Sequence, residues 1–120
     1  LVVAGDGGIM MSIAELETNY NSFNGINIKL LKAGGIDKAL RIAQKAKELN
    51  KKIIIGCMSE SSCGCATAFA LNSFADYLDI DGPWLIQNNP FTGFIMKSGK
   101  FEVNSKTGIG VEPLNDFFEV

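Results

Sequence analysis

The chain reads as an α/β domain built on a parallel sheet. Three observations carry that reading. Short β-branched runs alternate with helical stretches in the order β-α-β-α-β-α-β, followed by a tail. The central runs are almost wholly apolar, as in strands covered on both faces. Hydrophobic residues make up 47% of the 120 positions, enough for one modest domain with a folded core.

The elements follow in chain order. Leu1–Ala4 is strand-like and is broken by Gly5, Gly7 and Gly8. Ser12 to Tyr20 is expected to be a helix, with Ser12 at the N-cap and Glu15 in the capping-box position. Gly25–Leu31 is the next strand, closed by Gly34 and Gly35. Ile36–Asn50 carries a helical stripe of Ile36, Leu40, Ala43, Ala46 and Leu49, with Lys38, Arg41, Lys45 and Lys47 largely off it. Lys52–Met58, "KIIIGCM", is a buried type of strand. Ser61 or Ser62 caps a helix running to about Ala75, and "DYLDI" forms a fourth strand before the breaker pair Gly82–Pro83. The rest reads as turns and short extended pieces, with a hairpin around Ser98–Gly99.

Composition excludes several functions. The formal net charge is −2 with both signs interspersed, which leaves no nucleic-acid stripe and no membrane-binding face. No apolar run reaches about 18 residues, the length a spanning helix needs. The opening "LVVAGDGG" has no basic n-region and reads as a chain already inside a strand, so part of a longer protein is expected. Cys57, Cys63 and Cys65 are an odd set with no paired C-x-x-C and no histidine beside them. They point to reduced thiols in a cytoplasmic setting, buried as small apolar side chains, rather than to zinc.

Right-handed β-α-β crossovers keep the carboxyl ends of parallel strands on one side, where chemistry collects in such folds. The polar residues at those ends are Asp6, Asn27 with Lys29, Cys57 with Ser59 and Glu60, and Asp79 with Asp81. Four consecutive strands thus bring a carboxylate or an ammonium to one rim, and buried charge is costly unless paired or working. Each has a plainer reading. Lys29 can snorkel from an edge strand, Asp79 and Asp81 can be turn acids before Gly-Pro, Glu60 can belong to a helix-capping cluster, and Asp6 can be a turn residue.

The segment "INIKLLKAGGIDKALRIAQKAKELNKKIIIGCMSESSCG" followed by "DYLDIDGPWL" closely resembles the C-terminal half of the enolase-superfamily barrel, and within it the dipeptide epimerases of the L-Ala-D/L-Glu type. The resemblance covers residues 24–86 best, and "TGIGVE" matches the family's closing motif. It implies part of a modified (β/α)8 TIM barrel. Residues 1–86 would supply strands five to eight, and residues 87–120 a tail packing on the barrel and on a capping domain that lies outside this chain with the first half of the barrel. It also implies a reaction, the Mg2+-dependent epimerisation of a small dipeptide by two lysines facing each other across the α-carbon, through an enediolate. Lys29 matches the second of those lysines. Asp79 and Asp81 match the aspartates that hold the dipeptide's ammonium group, and Cys57 matches a position lining the substrate pocket.

One Mg2+ ligand would come from this chain, and here the sequence departs from the family. Where the family reads Ala-Asp-Glu-Ser, this chain reads Ala4-Gly5-Asp6-Gly7, so the ligand position falls on Gly5 and Asp6 takes it over after a one-residue shift. Three alternatives stay open at this point. One is another superfamily enzyme of the muconate cycloisomerase or o-succinylbenzoate synthase type, one an inactive, metal-free relative acting as a binding module, and one a standalone flavodoxin-like domain. The dipeptide side chains and the oligomeric state, including a homo-oligomer, are not fixed by these residues.

Overall fold

Strand order decides the architecture. The computed structural model describes residues 4–5, 13–102 and 104–114. Strands β1 (Ala4–Gly5), β2 (Gly25–Lys29), β3 (Lys52–Gly56) and β4 (Tyr77–Asp79) form one parallel sheet in the order β1-β2-β3-β4. A doubly wound sheet reverses its order at a switch point and carries helices on both faces. This sheet runs straight through, so same-handed crossovers put every helix on one side. That is the arc of a barrel, and it removes the flavodoxin-like alternative.

Burial confirms the two faces. Ile26 and Ile28 of β2, Ile53 and Ile55 of β3, and Ile80 just past β4 are buried. On the alternate positions Asn27, Lys29 and Ile54 are half-buried, and Tyr77 and Asp79 are exposed. The first set packs against helices α1 (Ile13–Asn19), α3 (Ile36–Glu48) and α4 (Ser62–Phe69). In α3 the buried positions are Ala39, Ile42, Ala43 and Ala46, with Ile36, Leu40 and Leu49 at the margin. Three alanines on that face let the helix lie close to the isoleucines of β2 and β3.

Several predicted boundaries move. The strand at Gly25 stops at Lys29 rather than Leu31, because the chain turns at once into α2 (Leu30–Ala33). Gly34, at φ 84° in the left-handed region, closes that helix, and its N–H and that of Gly35 both reach the Leu30 carbonyl. β2 pairs with β1 on one side and with β3 on the other, which makes it an interior strand of the sheet. The helix after β3 ends at Phe69 and passes through a 3-10 turn at Asn72–Phe74. Helix α1 likewise ends at Asn19 in a 3-10 turn, Tyr20–Ser22.

Asp76 fastens β4 to β3. Its carboxylate accepts from the Ile53 N–H at 2.9 Å and from Lys52 Nζ at 2.7 Å, while its own N–H donates to the Ile53 carbonyl at 2.8 Å. The hydrogen bond from Lys52 and then that from Ile53 hold the carboxyl at about 2, below the ordinary 3.8. The folded state therefore binds this proton less readily than the unfolded chain. The stabilisation is fully present above the ordinary value and is lost as pH falls through about 2. Asp76→Asn is expected to cost about 1 kcal/mol at neutral pH. Urea melts should show a smaller cost near pH 3 than near pH 7, and an equal cost at both would contradict this assignment.

Among the described residues the tail supplies no long helix. After α5 (Gly82–Leu85), β5 (Phe91–Thr92) pairs antiparallel with β8 (Glu112–Pro113), and β6 (Ile95–Lys97) with β7 (Lys100–Glu102). The expected hairpin is present, with Ser98 at φ 51° and Gly99 at φ 75° in its two-residue turn. Phe94 and Phe101 stack at 5.3 Å, and both lie within about 6 Å of the rings of Phe69 and Trp84, which pins the hairpin to α4 and α5. Among the described residues no helix is long and apolar enough to cross a membrane.

Candidate active site at the carboxyl ends of the strands

Parallel register places three residues in one row. Lys29 pairs with Gly56, and Gly56 pairs with Asp79. Paired positions in a parallel sheet point the same way, so Lys29 and Asp79 both stand on the open face at the carboxyl rim. With strands about 4.8 Å apart, their Cα atoms are separated by roughly 10 Å. The residue between them has no side chain.

That gap is filled by Asn27, two residues before Lys29 on the same face. A Cβ built on Gly56 would lie 2.3 Å from Asn27 Oδ1 and 3.1 Å from its Cγ. The carboxamide thus lies over Gly56, and its Oδ1 is buried with no hydrogen-bond partner among the described residues. A glycine in a strand interior marks such a close approach. Gly56→Ala is expected to displace Asn27 into the row, cost about 1–3 kcal/mol of stability and lower activity. A variant with wild-type melting temperature and kcat would show that the slot tolerates a methyl group.

The loop after β3 meets the loop after β4. The Cys57 N–H donates to the Asp79 carbonyl at 3.1 Å, and the Gly82 N–H donates to Cys57 Sγ at 3.4 Å. The Cys57 thiol in turn lies 3.8 Å from Asp81 Oδ1, within reach of a weak S–H donor bond. Burial pushes the Cys57 thiol up, and burial likewise pushes up the thiol of Cys65, which is wholly buried. Both sulfurs are therefore protonated at neutral pH, and Cys57 offers the site a neutral S–H rather than a thiolate.

β4 ends at Asp79. Ile80 turns into the core, and Asp81 leads α5 in a helical conformation at φ −87°. Asp79 and Asp81 are both exposed, on either side of the buried Ile80, as the alternation predicted. The structure thus brings Lys29, Cys57, Asp79 and Asp81 to one rim. Asp6 lies outside the described residues, immediately after the last residue of β1. Gly5 has no side chain to offer a metal. Among the described residues no group of three or more histidines, cysteines and carboxylates could hold a metal.

The capping prediction needs correction. Ser61 occupies the N-cap of α4 but makes no side-chain cap bond. The Ser62 N–H is taken instead by Asn89 Oδ1 at 3.0 Å, and Asn89 Nδ2 donates back to Ser62 Oγ at 2.6 Å. Glu60 Oε1 accepts from the Met58 N–H at 2.9 Å, two residues back. Sequence reading missed Asn89, which no local pattern flags, and the role of Gly56, which the glycine in "KIIIG" did flag.

Comparison with known proteins decides the family. The family described as "Enolase C-terminal domain-like" matches residues 17–117. This chain belongs to it. An L-Ala-D/L-Glu epimerase of Bacteroides thetaiotaomicron is 39% identical over 102 residues, which are 85% of this chain and 27% of that protein. A substrate-liganded L-Ala-D/L-Glu epimerase from Bacillus subtilis superposes with a TM-score of 0.80 at 28% identity, over 92% of this chain and 32% of that one. A dipeptide epimerase from Methylococcus capsulatus, complexed with Mg and the dipeptide L-Arg-D-Lys, gives 0.83 at 30% identity, over 90% of this chain and 32% of that one. The chain thus spans roughly a quarter to a third of the length of these enolase-superfamily relatives. They are isomerases built on TIM barrels, and the sheet arc described above is the corresponding part of such a barrel.

Proposed function

We propose that this chain works as the carboxyl-terminal part of an Mg2+-dependent dipeptide epimerase. The observation that carries the reading is the row across β2, β3 and β4. It sets a lysine and an aspartate on one face, two strand spacings apart, with a second aspartate following. A dipeptide can span that distance, with its amino terminus at Asp79 and Asp81 and the α-carbon of its second residue at Lys29. Substrates of the muconate cycloisomerase and o-succinylbenzoate synthase type carry no ammonium group, so they leave this acidic pair unused.

Each residue has a defined task. Lys29 moves a proton at its Nζ, taking it from the α-carbon or returning it on one face. A second lysine, supplied by the barrel strands outside this chain, does the same on the other face, so inversion needs no movement of the substrate. Lysine suits the role because it loses its proton when partly buried near positive charge, whereas arginine does not. Asp79 and Asp81 hold the ammonium by charge-assisted hydrogen bonds. Asp6 is the residue of this chain that would hold Mg2+, which when bound stabilises negative charge building on the substrate carboxylate as the α-proton leaves. Residues 87–120 pack on the barrel and a capping domain, which would cover the exposed Ile95, Met96 and Leu114.

Proton NMR of the full-length protein with L-Ala-L-Glu in D2O tests this reading. Deuterium should enter the α-position of the second residue while the D-epimer appears, and EDTA should stop both. Absence of exchange with a range of dipeptides at saturating Mg2+ would overturn it.

A further inference from the structure

Glu60 is buried, at 8% exposure, and the reaction outlined above gives it no task. Its position is unusual for an acid after a strand. Oε1 accepts from the Met58 N–H at 2.9 Å, two residues back, and the rest of the carboxylate rests on the first turn of α4, where a Cβ on Gly64 would lie 2.5 Å from Oε2. The loop from Cys57 to Glu60 is thereby folded on itself. It closes on Gly82. A Cβ there would lie 2.9 Å from the carbonyl oxygens of both Met58 and Glu60 and 3.0 Å from the Glu60 nitrogen. All three are main-chain atoms, so the wall around Gly82 cannot yield by a rotamer change. Gly82 in turn gives its N–H to Cys57 Sγ, and that thiol reaches Asp81. One closed circuit therefore runs from Glu60 through Met58 and Gly82 to Cys57 and Asp81.

We propose that Glu60 is a positioning residue for the ammonium site, holding the 57–60 loop closed on Gly82 so that Asp81 and Cys57 keep the geometry that selects a free amino terminus. Glu60 touches no substrate in this account. It acts through Asp81, which extends the dipeptide reading and rests on it. The carboxylate is suited to the task because a charged acceptor holds a backbone N–H more firmly than a neutral one.

Calorimetry on the full-length protein with Mg2+ separates this role from simple structural support. The readout is the ratio of affinities for L-Ala-L-Glu and for propionyl-L-glutamate, which lacks only the ammonium group. Wild type should favour the dipeptide. Glu60→Ala should bring the ratio down about tenfold, with propionyl-glutamate binding little changed. Glu60→Gln keeps the shape and an acceptor for Met58 and should restore most of the ratio. Cys57→Ala, which leaves the loop anchor in place, should lower the ratio as well and serves if Glu60→Ala does not fold. A wild-type ratio retained in Glu60→Ala, or in Cys57→Ala where Glu60→Ala cannot be made, overturns this proposal. A wild-type protein that does not distinguish the two ligands overturns the dipeptide reading itself.

Discussion

Replacing Lys29 with alanine is expected to lower kcat for epimerisation by about a thousandfold or more in the full-length enzyme. The loss should be confined to the chemical step. Lys29 ends β2, an interior strand bonded to both neighbours, and its backbone place is set by Ile26 and Ile28 packing on the helices. Truncating the side chain would therefore remove the proposed base while leaving the strand in place. Substrate KM should change little, because on the proposed reading the ammonium and carboxylate of the dipeptide would be held elsewhere. Lys29→Arg should fare no better, since it keeps the charge but cannot give up a proton at working pH. A stopped-time assay by chiral chromatography checks both variants, and kcat within tenfold of wild type in either would remove Lys29 from the chemistry.

The second large effect lies at Asp79. Asp79→Asn keeps the shape of the side chain and withdraws its charge. A hydrogen bond to a charged group contributes about 1.5–3 kcal/mol, so kcat/KM for a dipeptide should fall roughly 10- to 150-fold. Most of that should appear in KM. On the proposed reading the reacting carbon would lie near Lys29, two strands away, and the ammonium interaction would be the same in the ground state and the transition state. Steady-state kinetics at several dipeptide concentrations resolve the split. A fall in kcat with unchanged KM would place Asp79 in the chemistry and not in substrate binding.

The fold was legible where the pattern was periodic. The isoleucines of "INIK" and "KIII" announce strands buried against helices, and the alternation that buries Ile26 and Ile28 also turns Asn27 and Lys29 to the other face. The resemblance to dipeptide epimerases then attached a chemistry to that face. What periodicity could not supply is contact between loops. Glu60 follows a strand and precedes two serines, a pattern that reads as a helix cap, yet α4 takes its cap from Asn89 in the tail. That bond joins residues 27 positions apart and leaves no local signal. Strand ends were likewise misjudged at Leu30, where an apolar residue suits a strand and a helix equally and the left-handed Gly34 closes the helix.

Asp6 stands apart. The reading of Asp6 in place of Gly5 as the metal carboxylate rests on the sequence alone, because Asp6 lies outside the described residues.

The most direct test of the account is hydrogen exchange in Lys29→Ala, followed separately from each epimer of the dipeptide in D2O. Two bases on opposite faces predict an asymmetric result. The epimer whose α-hydrogen faces the remaining lysine should take up deuterium without inverting, and the other epimer should stay fully protonated. Exchange from both epimers at wild-type rates would contradict the assignment of Lys29 as one of the two bases.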